Sequence, residues 1–226
     1  MTRAFKFSPN EYYHLYNRGT EKREVFLDGA DYRRFISLLY ACNASKVIHL
    51  SDRQGSTLTE ILGVERGVPL VDIGVYCLMP NHFHLLVRER REGGISLFVQ
   101  KLSTAYTMYF NKRYKRSGSL FQGRFKATHV NSDEYLKYLF AYIHLNPVKL
   151  IQKDWKERGV RNRAKVEVFL CGYRHSSYRD YVGETTQEGA ILTRSAFPDY
   201  FSTKKVFKNF IDDWLNYRSA YVKVQP

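Results

Sequence analysis

Val75-Tyr76-Cys77-Leu78-Met79-Pro80-Asn81-His82-Phe83-His84-Leu85-Leu86-Val87 decides the fold. Two apolar runs flank a Pro-Asn break, which predicts a hairpin of strands over Val71–Leu78 and His82–Val87. Side chains alternate along a strand, so His82 and His84 point to one face while Phe83 and Leu85 point to the other. Two imidazoles side by side on a rigid element can hold one divalent metal. An isolated His-x-His more often means two half-exposed strand histidines that bind nothing.

Toward the N-terminus, Tyr12–Asn17 reads as an aromatic strand closed by Arg18-Gly19. Asp28–Asn43 carries Tyr32, Phe35, Ile36, Leu39 and Tyr40, close to a helical stripe. Residues 44–70 are irregular, with Gly55, Gly63 and Gly67 and a short helix near Thr57–Leu62, and read as an insertion. Toward the C-terminus, Gly93-Gly94 opens a helix whose stripe is Ile95, Phe98, Val99, Leu102, Ala105, Tyr106 and Tyr109. Leu120–Val130 reads as a basic strand. Ser132 is placed as an N-cap, with Asp133 and Glu134 in the first turn, and Pro147 ends that helix near Asn146. This order predicts an α+β fold, a single antiparallel sheet with helices packed on one face. The pattern weakens beyond residue 150. Residues 183–226 form a helical C-terminal extension, with a terminal helix around Lys204–Tyr217.

Of 226 residues, 36 are Lys or Arg and 22 are Asp or Glu, a net charge of +14. Such an excess calls for a polyanionic partner, most simply nucleic acid, with an anionic membrane surface as the competing reading. No apolar run approaches the ~20 residues of a membrane span, and the N-terminus lacks a signal-peptide stretch. Cys42, Cys77 and Cys171 form no disulfide framework or zinc knuckle, which points to the cytoplasm. Between Lys101 and Val130 stand Lys101, Lys112, Arg113, Lys115, Arg116, Arg124 and Lys126, with no Asp or Glu, so phosphate contact is expected there.

On a helical wheel, Leu136, Leu139, Phe140 and Ile143 make the core stripe of the Ser132–Asn146 helix. Tyr142 and Asn146, four apart, are neighbours on its flank. Tyr138 falls opposite the core and is expected in solvent; Tyr135 is a reserve candidate on the same flank. A metal on His82 and His84 needs a further ligand, which Asn146 could supply as a carbonyl oxygen. Tyr142 could then attack a phosphodiester as a nucleophile.

The chain resembles the REP-associated tyrosine transposases, of the single-tyrosine HUH (His–hydrophobic–His) superfamily. Met79-Pro80-Asn81-His82-Phe83-His84-Leu85-Leu86 and Tyr142-Ile143-His144-Leu145-Asn146-Pro147-Val148 are similar to the two signatures of that family. Tyr16-Asn17-Arg18-Gly19, Gly123-Arg124-Phe125 and Tyr173-Arg174-His175-Ser176-Ser177-Tyr178 fit the same pattern, in order, over residues 10–182. The resemblance implies a ferredoxin-like catalytic domain over 10–182, with the histidines on a central strand. It implies a Mg²⁺- or Mn²⁺-dependent endonuclease and strand transferase acting on single-stranded DNA at hairpin-forming repeats. His82, His84 and Asn146 would be metal ligands. Tyr142 would form a 5′-phosphotyrosine and free a 3′-OH. DNA contacts fall on Arg18, Lys112, Arg113, Lys115, Arg116, Arg124 and Lys126. A bacterial-type, nucleoid-associated location and a homodimer are both compatible with the family. A domesticated hairpin-binding protein without chemistry and a phosphodiesterase using water stay open as alternatives.

Overall fold

Tyr12–Arg18 (β1) alternates buried Tyr13 and Leu15 with His14, Tyr16 and Arg18, so the strand offers two different faces. The computed structural model describes residues 6–216 apart from 47, 51 and 54. Gly29–Ala41 (α1) starts on Asp28, whose carboxylate accepts the Ala30 and Asp31 N–H groups. Leu58–Leu62 (α2) starts on a capping box between Thr57 and Glu60. Val71–Met79 (β2) and His82–Glu89 (β3) form the expected hairpin. Gly94–Arg113 (α3) precedes Lys126–His129 (β4), and Asp133–Leu145 (α4) is capped by Ser132. The strands pair antiparallel in the order β2-β3-β1-β4. With α1 and α3 as the crossovers, this is the ferredoxin-like arrangement, and β3 is central as expected.

Helices cover both faces, not one. Tyr13, Leu15, Ile73, Leu78, Phe83, Leu85 and Val87 pack against α1 and α3. Val75, Cys77, Met79 and Leu86 pack against α4 and the C-terminal segments. Two devices make β2 apolar on both sides. It is buried at every position, and a register shift between Ile73 and Val75 reverses its facing midway. Gly74 sits at that bulge because a Cβ there would lie 2.7 Å from the Phe197 ring.

The basic strand expected over Leu120–Val130 is confined to Lys126–His129. Leu120 and Phe121 are instead core anchors, and Gly123 turns the chain at a φ of 65°. The first long helix ends at Ala41, and Asn43 has left it for another task. Its Oδ1 accepts the Leu70 and Val71 N–H groups at 2.8 and 2.9 Å, and its Nδ2 donates to the Val71 carbonyl at 2.9 Å. One buried amide therefore closes both ends of the 44–70 excursion.

Beyond α4 the chain makes a 3₁₀ turn at Asn146–Leu150, then Trp155–Arg158 (α5), Arg163–Gly172 (α6) and Tyr178–Tyr181 (α7). The segment before α7 lies along the β2 edge. Leu78 N–H donates to the His175 carbonyl at 2.8 Å and Ser177 N–H to the Tyr76 carbonyl at 3.0 Å. Ser177 Oγ also meets His144 Nε2 of α4 at 2.8 Å. The last segment crosses that same edge, where Thr193 N–H reaches the Ile73 carbonyl. Ile191 lies on the first face of the sheet and Phe197, Phe201 and Phe207 on the second. Lys204–Asn216 (α8) is the expected terminal helix; Tyr217 and the rest of the extension lie outside the described residues. All three cysteines are free. No described helix is long and apolar enough to cross a membrane.

Candidate functional site

The register places the site on the α4 face. Tyr16 pairs with His84 and Arg18 with His82 across β1 and β3, while Tyr16 pairs with Lys126 across β1 and β4. Cross-strand partners share a face, so Tyr16, Arg18, His82, His84 and Lys126 stand together. The His82 and His84 rings are 5.0 Å apart. Tyr142 comes down from α4 with its ring 5.5 Å from that of His84, edge to face. Asn146, one turn later, is 4 % exposed and donates Nδ2 to the Tyr142 carbonyl at 2.9 Å. The sequence-predicted trio of His82, His84 and Tyr142 thus converges, with Asn146 behind it.

Burial sets the protonation of the site. It pushes His82 down to about 4, helped by Arg18 and Lys149. It pushes His84 well below the usual imidazole range, helped by His14 and His82. Both rings are neutral at physiological pH, the form in which imidazole binds metal. Burial raises Tyr142, and Tyr16 adds to the rise; the Asn146 amide and the Arg18 charge act in the opposite direction. The charged groups that act most on His82 and Tyr142 are cations, Arg18 on both and Lys149 on His82.

Several residues of the site escaped the sequence. His14 is 6 % exposed, with Nε2 2.9 Å from His84 Nδ1. Asn81 meets His82 Nδ1 with Oδ1 at 2.6 Å. Lys156 holds its ammonium 4.5 Å from the centre of the Tyr142 ring, and burial beside Lys149 lowers it to about 8. The alternation of β1 was the one available signal for His14, which shares parity with Tyr16 and Arg18. For Lys149 and Lys156 there was none. Tyr138 is not in solvent as expected. It stacks 5.6 Å from Tyr142 and is covered by Trp214 of α8 at 5.3 Å. Tyr135 stands one step further along this row.

The basic residues divide. Arg18 and Lys126 are exposed on the site face, Lys126 over the Tyr16 ring at 6.0 Å. Arg124 is exposed just before β4. Lys112, Arg113, Lys115 and Arg116 end or follow α3, the helix on the other side of the sheet. Arg113 is engaged by Asp28 and Asp31 at 2.5 and 2.9 Å, and Arg116 by Asn111 at 2.8 Å. The structure does not bring this cluster to Tyr142.

A histidine pair on the central strand of a ferredoxin-like sheet, facing a helix-borne tyrosine among cations, belongs with proteins that process nucleic acids. The family described as "Transposase IS200 like" matches residues 9–146, more than half of the chain. The chain belongs to the IS200-like transposase family, and its class of substrate is DNA. The match ends on Asn146. Among solved structures, the REP-associated tyrosine transposase bound to a REP hairpin is similar at 12% identity, over 88% of each chain, with a TM-score of 0.48. The tRNA(His) guanylyltransferase of Saccharomyces cerevisiae is similar at 10% identity over 89% of this chain and 84% of that one, with a TM-score of 0.34. No curated protein gives a significant match.

Proposed function

We propose that the protein is a metal-dependent nicking and joining enzyme for single-stranded DNA at hairpin-forming repeats, with Tyr142 as nucleophile. The observation that carries this reading is the approach of the Tyr142 ring to within 5.5 Å of His84, beside neutral His82. The donor set suits Mg²⁺ or Mn²⁺. Both Nδ1 atoms have partners, which leaves the two Nε2 atoms to a cation. Asn146 commits its Nδ2 to a carbonyl and keeps Oδ1 for ligation. Bound there, a divalent cation would supply Lewis-acid polarisation of a phosphodiester.

The chain's own residues carry the rest. Tyr142 Oη attacks phosphorus as its proton leaves. The P–O3′ bond breaks, the 3′-oxygen takes up a proton, and the 5′-phosphate stays on the tyrosine. Attack by a 3′-OH on that phosphotyrosine reverses the exchange and joins a strand, so no external energy source is needed. Arg18 favours the phenolate that attacks and later departs. Arg18, Lys126, Lys149 and Lys156 neutralise the phosphates that flank the cut.

The test is incubation with hairpin-bearing single-stranded DNA and Mn²⁺, followed by denaturing electrophoresis. The wild-type protein should form a covalent adduct. Tyr142→Phe should form none while binding the same DNA with affinity within about twofold, since it removes one hydroxyl and no charge. An adduct that persists in Tyr142→Phe overturns the assignment.

A further inference from the structure

We infer that Asn81 and His14 are positioning residues, Asn81 fixing the tautomer of His82 and His14 accepting the Nδ1 proton of His84, so that both Nε2 atoms are free for the cation; this rests on the metal reading above. A neutral imidazole has one N–H and one lone pair, and only the lone pair can ligate. Which nitrogen is bare is set by what the other one meets.

At His82 the partner is unambiguous. Asn81 donates Nδ2 to the Lys22 carbonyl at 3.1 Å, which orients the amide and presents Oδ1 to His82. A carbonyl oxygen only accepts, so the 2.6 Å contact requires a proton on His82 Nδ1 and leaves Nε2 bare. Pro80 helps to hold Asn81 in place, since its carbonyl takes the Val25 N–H at 2.8 Å and the Phe26 N–H at 3.1 Å.

At His84 the partner is a second imidazole. Nitrogens 2.9 Å apart in two buried, neutral rings must be one donor and one acceptor. If His14 Nε2 donates, His84 carries its proton on Nε2 and cannot ligate there. If His84 Nδ1 donates, Nε2 faces the site as a lone pair. A cation at the site therefore selects the second arrangement, and His14 is its acceptor. Stacking at 5.0 Å on Tyr16 and an edge contact with Tyr142 at 5.8 Å hold the His14 ring where this bond requires it. Both outer partners are neutral. They orient the ligands without adding negative charge, unlike the carboxylates that often fill this role.

The test has two readouts on the full chain. Long-range ¹H–¹⁵N correlation of the histidine rings should show His82 protonated at Nδ1 in metal-free protein, and His84 protonated at Nδ1 once Mg²⁺ is bound. In Mn²⁺ titrations followed by electron paramagnetic resonance, His14→Phe should weaken binding about 10- to 100-fold. His14→Gln, whose side-chain oxygen can accept the same bond, should recover most of it. A purely structural role would lower the melting temperature of His14→Phe without this affinity loss or its rescue. A proton on His84 Nε2 with Mg²⁺ bound, a proton on His82 Nε2, or unchanged Mn²⁺ affinity in His14→Phe overturns the inference. If the wild-type protein shows the His82 Nδ1–H tautomer but binds neither Mn²⁺ nor Mg²⁺, the metal reading fails while the Asn81–His82 hydrogen-bond assignment stands. The spectroscopic readout needs no variant, so a poorly folding His14→Phe does not shield the inference.

Discussion

On the proposed mechanism Tyr142 becomes a phenolate in a place where burial favours the phenol. Arg18 is the charged group that opposes this burial, and it lies two strand positions beyond Tyr16 on the same face. Arg18→Gln should therefore raise the tyrosine pKa and move the rising limb of the pH–rate profile for adduct formation toward alkaline pH. The rate at pH 7 should fall about tenfold, as for a lost electrostatic contact to the reacting group. Initial rates measured between pH 6 and 10 check both. Residues of this kind were unevenly legible. The faces on which His82, His84, Tyr142 and Asn146 lie follow from strand alternation and helical spacing, which are local rules, while their roles came from the family resemblance. His14 depends on a register between strands some seventy residues apart, and Lys156 on a chain path after Pro147 with no periodicity. Tyr138 obeyed its helical wheel but not its exposure, because Trp214 arrives from a helix far along the sequence.

Among the elements, the Ser132 cap and the breaks at Pro80-Asn81 and Pro147 were the readable signals. Asp28, Thr57 and Ser132 each begin a helix where their side chains accept backbone N–H groups. The chain between Leu120 and Lys126 was misread because two buried apolar residues look alike whether they belong to a strand or anchor a loop. The two-sided sheet was missed for a related reason. A strand apolar on both faces has no alternation to betray which side a later helix will cover. The 44–70 excursion hangs on Asn43, which satisfies three backbone groups of Leu70 and Val71 in a buried setting. Asn43→Ala should cost about 3 kcal/mol, on the scale of buried polar groups left without partners. Chemical denaturation monitored by circular dichroism measures it. By contrast, Ser177→Ala should act across the sheet edge, since it strips partners from the Tyr76 N–H and His144 Nε2 together. A loss of about 2 kcal/mol is expected in the same assay.

Across the whole molecule, burial holds five of the seven histidines in the neutral form. Burial lowers His14 and His144 to about 3 and His82 and His175 to about 4, and depresses His84 further from its usual range. Unfolded, these rings titrate near pH 6.5. Below that pH the unfolded chain binds more protons than the folded one, so stability is complete above about 6.5 and drains away toward pH 4. Melting temperatures recorded from pH 7.5 to 4.5 should fall steadily below 6.5. Binding to single-stranded DNA should weaken with salt. Four site-face cations, Arg18, Lys126, Lys149 and Lys156, predict a slope of log affinity against log salt of about −3. Titrations between 50 and 300 mM salt read that slope, and each Lys→Gln change should flatten it by about 0.7. Net charge announced the polyanion in the sequence; which cations share a face with Tyr142 required the fold.

The segment that binds the β2 edge through His175 and Ser177 has a consequence for assembly. Sheets with two open edges can add neighbours endlessly, the geometry of fibres. Here the β2 edge is covered by the chain itself at Ile73, Tyr76 and Leu78, and the other edge of the sheet is the four-residue β4. That cover blocks strand addition along β2, so growth of the sheet from that side is disfavoured.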